Sequence, residues 1–321
     1  MQRVLITGGA GFIGSNLADR LLADGVQVVA YDNFSTGRYE FIEGVLTHPY
    51  GEVVKGDVLD GTTLRAALDG CDTVFHLQAN ADVRHGLEHP RRDLEQNAMA
   101  TSELLEAMRA AGVTRMGFAS SGSVYGEPDR VPTPEDAPMP IQTSLYGASK
   151  VAGEGTLHAY CHGFGFTGVV FRFVSILGER YTHGHVIDFY RALRADPSRV
   201  RILGDGRQRK SYLYVGDCVE GMLTAVAAHT EPGDAAVYNL GTDETVAVDE
   251  SVALVAEHLG ATPRIEHTGG PRGWPGDAPL IHLDCARLRA LGWAPTLAIE
   301  ASIRRTLQWL DDNPVAVREA R

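Results

Sequence analysis

Lysine is nearly missing from this chain of 321 residues. Lys55, Lys150 and Lys210 are its only lysines, although lysine and arginine together number 29. Each lysine therefore marks a position where the prevailing arginine was not used. Cysteine is equally sparse. Cys71, Cys161, Cys218 and Cys285 lie far apart, with no CxxC pair and no ligand-like spacing. That excludes a disulfide framework and fits reduced thiols in a cytoplasmic protein. No apolar run approaches the ~20 residues needed to cross a bilayer. A β-rich run begins almost at Met1, so neither a secretory leader nor a membrane association is expected. Basic charge is also short, with 41 acidic residues and a formal net charge of −12. Such a surface repels a phosphate backbone, so nucleic acid is not an expected partner. Internal repeats and low-complexity segments are lacking as well.

What remains is ordinary globular composition, 44% hydrophobic and 22% charged, in a length that suits two closely joined units. The opening reads as strand Arg3–Thr7, glycine turn, helix Ser15–Asp24 ended by Gly25, and strand Val26–Tyr31. Further strand patterns fall at Val53–Lys55, Thr73–Leu77, Arg115–Ala119 and Gly168–Phe173, mostly with helical patterns between them. That alternation predicts an α/β fold with a parallel sheet covered on both faces. After Phe173 the rhythm turns irregular. Residues 1–174 are expected to form the first unit and 175–321 a smaller mixed α/β lobe. Leu213–Val215 and Val237–Leu240 are expected to return to the first sheet, which makes the division discontinuous. The tail after Asn313 is expected to fray.

Gly8, Gly11 and Gly14 stand between the first strand and its helix. The first permits a tight turn, the second close approach of a pyrophosphate, and the third helix-on-strand packing. Free amides at the helix start then face the anion. Asp32 ends the second strand, where a carboxylate takes the adenosine ribose hydroxyls of NAD and repels the extra phosphate of NADP. Nearby Arg38 tempers that preference. Strand, loop, helix, strand and acid in this order predict a Rossmann-type, doubly wound dinucleotide-binding domain. Asp57, after the third strand, suits the adenine end.

Tyr146 and Lys150 form YGASK, four apart and so on one helical face. A phenol with a pKa near ~10 is a poor base at neutral pH. A lysine cation and a nicotinamide cation nearby both favour the phenolate, which suits Tyr146 as a proton shuttle for a substrate hydroxyl. In SSGSVYG, Ser120, Ser121 and Ser123 follow a strand and can hydrogen-bond the same hydroxyl. Tyr125 reads as a packing aromatic. His183 and His185 lack clustered carboxylates, so no metal is expected.

These segments resemble the extended short-chain dehydrogenase/reductase family. Within it the chain is similar to the NAD-dependent nucleotide-sugar epimerases of the UDP-glucose (UDP-galactose) 4-epimerase type. GGAGFIG, HLQAN, SSGSVYG, YGASK, LGDGRQRKSYLYVGD and RGWPGD occur in the family's order over nearly the whole chain. The resemblance implies Tyr146 as catalytic base and acid, Lys150 as its electrostatic partner and ribose ligand, and Ser121 as the hydroxyl partner. It places Phe12 and Ile13 at the pyrophosphate, Asp32 and Asn33 at the adenosine ribose, and Asp57 at adenine. Leu77 and Ala79 fall near the cofactor and Asn97 behind the site. Ser123, Ser175, Lys210, Arg272 and Ile281 fall to the sugar nucleotide, with Lys210 and Arg272 near its diphosphate.

Two departures touch the substrate. Ser175 stands where the family often has asparagine, and Lys210–Ser211 where it often has Arg-Asp. A lysine offers a point charge rather than a bidentate fork. The implied reaction inverts C4 of UDP-glucose or UDP-galactose through a transient 4-keto sugar. Gly122–Ser123 lacks the Asp-Glu pair of the 4,6-dehydratases and the glutamate of the decarboxylases. Thr182 stands where glucuronate epimerases carry a carboxylate-binding arginine, and Ile281 at the sugar gate leans to plain hexoses. Those relatives, UDP-N-acetylhexosamine epimerases and a non-catalytic dinucleotide sensor are the alternatives. The stretches Asp93–Ala111 and Tyr146–Tyr160 match an intersubunit helix bundle, which implies a homodimer.

Overall fold

A computed structural model describes residues 1–80, 84–139, 141–274 and 277–317. Its strands in chain order are β1 (Arg3–Thr7), β2 (Gln27–Asp32), β3 (Gly51–Lys55), β4 (Thr73–His76), β5 (Arg115–Ser121), β6 (Thr167–Phe173) and β7 (Ser175–Leu177). There follow β8 (Arg199–Ile202), β9 (Arg209–Lys210), β10 (Tyr212–Tyr214), β11 (Ala235–Leu240), β12 (Val246–Ala247), β13 (Arg264–His267) and β14 (Leu280–Ile281). Seven of them form one sheet in the order β11-β6-β5-β4-β1-β2-β3. All its pairings are parallel. Strand order reverses beside β1, which opens a crevice at the carboxyl ends of the strands, the usual ligand position in such sheets.

The central strands are buried and largely apolar because both faces are covered. Val4 and Ile6 of β1 join Val28 and Ala30 of β2 in one core, with Leu17 and Leu21 of the helix Phe12–Ala23. Leu5, Val29 and Tyr31 point the other way, into a second core with Leu104 and Met108 of the helix Ala100–Ala111. The period-2 alternation of strand side chains produces the two layers.

Past β6 the chain continues as β7, which pairs in parallel with β10 in a separate two-stranded sheet. The expectation that Leu213–Val215 rejoins the main sheet is therefore not met, and Val215 instead opens the helix Val215–Ala228. The edge of β6 is already occupied by β11 from Ala235 to Leu240, so Val237–Leu240 does return. Small sheets β12-β9-β14 and β13-β8 make up the rest. A short helix, Pro314–Val317, follows Asn313, and the end of the tail lies outside the described residues.

Candidate active site

The glycine turn is built as its spacing requires. Gly8 has φ +71, and a Cβ there would lie 2.9 Å from the Gln78 amide nitrogen. A Cβ on Gly14 would lie 2.2 Å from the Gly8 carbonyl oxygen. These two positions close the turn. A Cβ on Gly11 would meet only that same carbonyl, at 3.1 Å, so this side of the loop is open to a ligand. Gly11 is also the N-cap of the helix Phe12–Ala23 and supplies no side-chain acceptor. The amides of Phe12 and Ile13 thus begin a helix whose first turn can serve an anion.

Asp32 is buried at the end of β2 and accepts hydrogen bonds from the amides of Ala10 at 3.0 Å and Phe34 at 2.8 Å. Burial raises its pKa, and the two amides oppose the rise. Its carboxylate so ties the glycine loop to the strand after which the ribose is expected. Asn33 donates to Asp57 at 2.9 Å, which brings the two residues of the adenosine end together. Arg38 directs its guanidinium to the Val315 carbonyl at 3.2 Å. Leu77 follows β4 and donates its amide to Thr7, so Leu77 and Ala79 lie on the segment beside the glycine turn. Uncapped helix amides, an open glycine and a carboxylate at the second strand together fit an adenine dinucleotide. NAD supplies a hydride acceptor and donor.

The chemistry of the protein itself gathers on the helix Leu145–Phe164. Ser144 caps it, its hydroxyl accepting from the Gly147 amide at 3.0 Å, and Gly165 ends it with φ +70. The Tyr146 phenol lies near the Ser121 hydroxyl at the end of β5, which favours its ionised form. Ser123 donates to that same Ser121 oxygen from its amide at 3.2 Å and its hydroxyl at 3.0 Å. Ser121 is thus the serine that meets the phenol, with Ser123 behind it. The fully buried Lys150 donates to the Ala119 carbonyl at 2.7 Å and lies 5.8 Å from the centre of the Tyr146 ring.

Burial dominates the electrostatics of both groups. Burial pushes the Tyr146 phenol up to about 12; the neighbouring Ser121 hydroxyl opposes this and the Asp93 carboxylate adds to it. Burial brings Lys150 down to about 8, against the pull of Glu154 and Asp93. Loss of hydration is the largest influence on the phenol, and it opposes ionisation. A nicotinamide cation is the further charge that favours the phenolate.

Asn97 lies behind the site, inside the π-helical turn Leu94–Met99 that interrupts the expected helix from Asp93 to Ala111. Such turns recur at functional sites. Asn97 accepts from the Asn80 amide and donates to Ser149, both at 2.8 Å, and Ser149 donates to the Tyr146 carbonyl at 2.7 Å.

On the substrate side, Ser175 opposes Tyr212 and Lys210 opposes Ile281 across their ladders. Lys210 pairs with Asp277 at 2.7 Å, and Arg272 donates to the Asp277 carbonyl at 2.7 Å. Both predicted diphosphate ligands thus surround one aspartate. Leu283, just beyond Ile281, is a neighbour of Gly122, which places this lobe against the serine turn. His185 hydrogen-bonds the Tyr212 hydroxyl at 2.7 Å. Tyr125 is buried between Arg172 and Asn239, hydrogen-bonded to both at 2.8 Å.

Sequence reasoning passed over Asn80, Asp93, Ser149, Asp277 and Glu154. Glu154 alone carried a readable signal, a carboxylate on the buried stripe eight residues after Tyr146.

A glycine cradle at the sheet crevice, with a Ser-Tyr-Lys group at its carboxyl edge, defines a dinucleotide-dependent enzyme acting on a hydroxyl. The family description "NAD dependent epimerase/dehydratase family" matches residues 4–241, and the chain belongs to that family. It is 36% identical to the UDP-glucose 4-epimerase of Mycolicibacterium smegmatis over 96% of this chain and 98% of that protein. Among solved structures, a UDP-galactose 4-epimerase is 37% identical, with a TM-score of 0.85, over 97% of this chain and 99% of the other. The Thermus thermophilus UDP-glucose 4-epimerase, solved in complex with NAD, is 33% identical, with a TM-score of 0.85, over the same shares.

Proposed function

We propose that the protein is an NAD-dependent isomerase that interconverts UDP-glucose and UDP-galactose by inverting C4. The observation that carries this reading is Tyr146 on the helix that also holds Lys150, whose ammonium lies 5.8 Å from the centre of the Tyr146 ring and is anchored to Ala119, two residues before Ser121. Gly8, Gly11, Phe12, Ile13 and Gly14 hold the pyrophosphate of NAD, while Asp32, Asn33 and Asp57 hold its adenosine. Bound NAD would supply the acceptor and donor of the hydride at the sugar C4. Tyr146 removes the proton of the C4 hydroxyl and gives it back after the keto sugar has presented its other face. Ser121 holds that oxygen through both steps, and Ser123 fixes Ser121. Lys210 and Arg272 exchange Asp277 for the diphosphate, with Ser175 and Ile281 beside the sugar nucleotide.

The site supports epimerisation over elimination or decarboxylation because the residue after Gly122 is a serine engaged with Ser121. Incubation with a panel of UDP-, dTDP-, GDP- and CDP-sugars, followed by chromatography and mass spectrometry, tests the reading. Formation of an isomer of UDP-glucose at unchanged mass is expected; loss of water or carbon dioxide overturns it.

Residues 1–174 together with β11 act as the cofactor domain, and the remainder as the nucleotide-sugar lobe. Four free, buried thiols suit a reducing cytoplasm. Leu94 and Met99 are exposed on the outer face of the segment preceding the helix Ala100–Ala111. They support a homodimer through this helix and Leu145–Phe164, which a stable monomer in analytical ultracentrifugation would refute.

A further inference from the structure

Tyr146, Lys150 and Glu154 are four residues apart in turn on the helix Leu145–Phe164, so they form one stripe. Facing the stripe are three consecutive residues at the end of β5. Tyr146 meets the Ser121 hydroxyl, Lys150 donates to the Ala119 carbonyl at 2.7 Å, and Glu154 accepts from the Ser120 hydroxyl at 2.5 Å. The last contact does not touch any reacting atom. Both Glu154 oxygens are nonetheless used. Arg172 of β6 forks onto them, Nε to Oε1 at 3.0 Å and Nη2 to Oε2 at 2.7 Å. The third nitrogen of Arg172 donates to Tyr125 at 2.8 Å and to the Glu135 carbonyl at 3.1 Å. A buried pair of this kind adds little net stability over apolar packing, so its retention asks for another reason.

We propose that Glu154 is a positioning residue for the reaction. It clamps the catalytic end of β5 to the helix bearing Tyr146 and Lys150, and it places a fixed negative charge one turn behind the Lys150 ammonium. Apolar contacts between helix and strand tolerate sliding, whereas a directional bond to Ser120 does not. Ser121, the next residue, then meets the phenol in one geometry. Lys150 is faced by Glu154 from its own helix, by Asp93 from the turn Pro90–Asp93 and by His76 from β4. The aromatic rings of Phe118 and Tyr146 complete its surroundings. This inference rests on the proposed epimerase reading, and its test is separable from that reading.

Two variants of the NAD-loaded protein decide it. Glu154→Met/Arg172→Met removes the clamp without leaving a buried charge unpaired. We expect its melting temperature to stay near that of the parent while kcat falls about 10- to 100-fold, the scale of a displaced catalytic group, with KM nearly unchanged. Glu154→Gln removes the charge together with one of the two oxygens that Arg172 forks onto. The chain has only three lysines, so 13C-lysine NMR resolves Lys150, whose titration should move down by at least about half a pH unit. A double variant with kcat within about threefold of the parent, or an unmoved Lys150 titration in Glu154→Gln, overturns the proposal. If the parent protein epimerises no sugar nucleotide, the functional reading falls. The Lys150 titration still decides the role of Glu154 in that case, and also if the double variant does not fold.

Discussion

Two buried ion pairs hold the two halves of this site, and they are built differently. Behind Tyr146, Arg172 and Glu154 are each 3% exposed and meet as a bidentate fork. Every contact around them is filled, with Ser120, Tyr125 and Glu135 as further partners. In the substrate lobe, Lys210 is 13% exposed and meets Asp277 through a single 2.7 Å contact, with the Ala278 carbonyl as a second acceptor. Arg272 touches the Asp277 backbone and pairs with the exposed Glu127 at 2.8 Å. A fork with saturated partners is a framework, because any displacement strands a charge in a dry interior. A lysine holding a point-charge contact can swap one anion for another, since its ammonium has no fixed donor plane. The molecule thus places arginine in the bidentate, fully buried contact and one of its few lysines in the single, partly exposed one.

The strongest way to break this contrast is at the phenol that the rigid pair supports. Tyr146→Phe should lower turnover by about 10²- to 10⁴-fold, the range of general acid–base catalysis, while still folding and binding NAD. Steady-state assay and cofactor content of the purified variant check both halves of that statement. Next in size is the framework itself. Glu154→Leu alone strands Arg172 and should cost about 3–5 kcal/mol of stability, read from urea unfolding. Lys210→Met should act on the other side of the comparison. We expect KM for the nucleotide sugar to rise about tenfold, roughly 1.4 kcal/mol of binding, with kcat little changed and a smaller stability loss than in Glu154→Leu. A kcat defect without a KM defect would place Lys210 in the framework instead.

Acid acts through a different group, a histidine beside Lys150. His76 is buried between Thr7 at 2.7 Å and Thr101 at 3.2 Å, and burial together with the Lys150 charge lowers its pKa to about 3. The unfolded chain binds this proton below about 6.5, while the folded chain refuses it until about 3. Stability is therefore lost as pH falls through that window, at no more than about 1.4 kcal/mol per pH unit from this group. His76→Asn should flatten the acid slope of the unfolding midpoint, and an unchanged slope would remove His76 from the account.

The sequence showed the cofactor half more readily than the substrate half, for a reason visible in particular residues. Gly8, Gly11, Gly14 and Asp32 belong to one strand–turn–helix–strand unit, so their roles follow from local spacing. Tyr146 and Lys150 are one helical turn apart and equally legible. Leu213 was harder, because whether its strand joins β6 or β7 depends on which segment already occupies the β6 edge, and β11 arrives from later in the chain. The π-helical turn at Asn97 depends on contacts with Asn80 and Ser149, separated from it by 17 and 52 positions. The Ser120–Glu154–Arg172 clamp spans 34 and 18 positions between its members.

Taken alone, the order of residues determined the parallel α/β architecture, the dinucleotide cradle and the chemical identity of the Ser-Tyr-Lys group. All of these are written in periodicities and short spacings that local backbone geometry enforces. Only the tertiary structure decided that burial lifts the Tyr146 phenol above its ordinary pKa, that Lys210 rests on Asp277, and that Glu154 locks strand to helix. Hydration and pairing are set by what surrounds a group in space, and those neighbours come from distant parts of the chain.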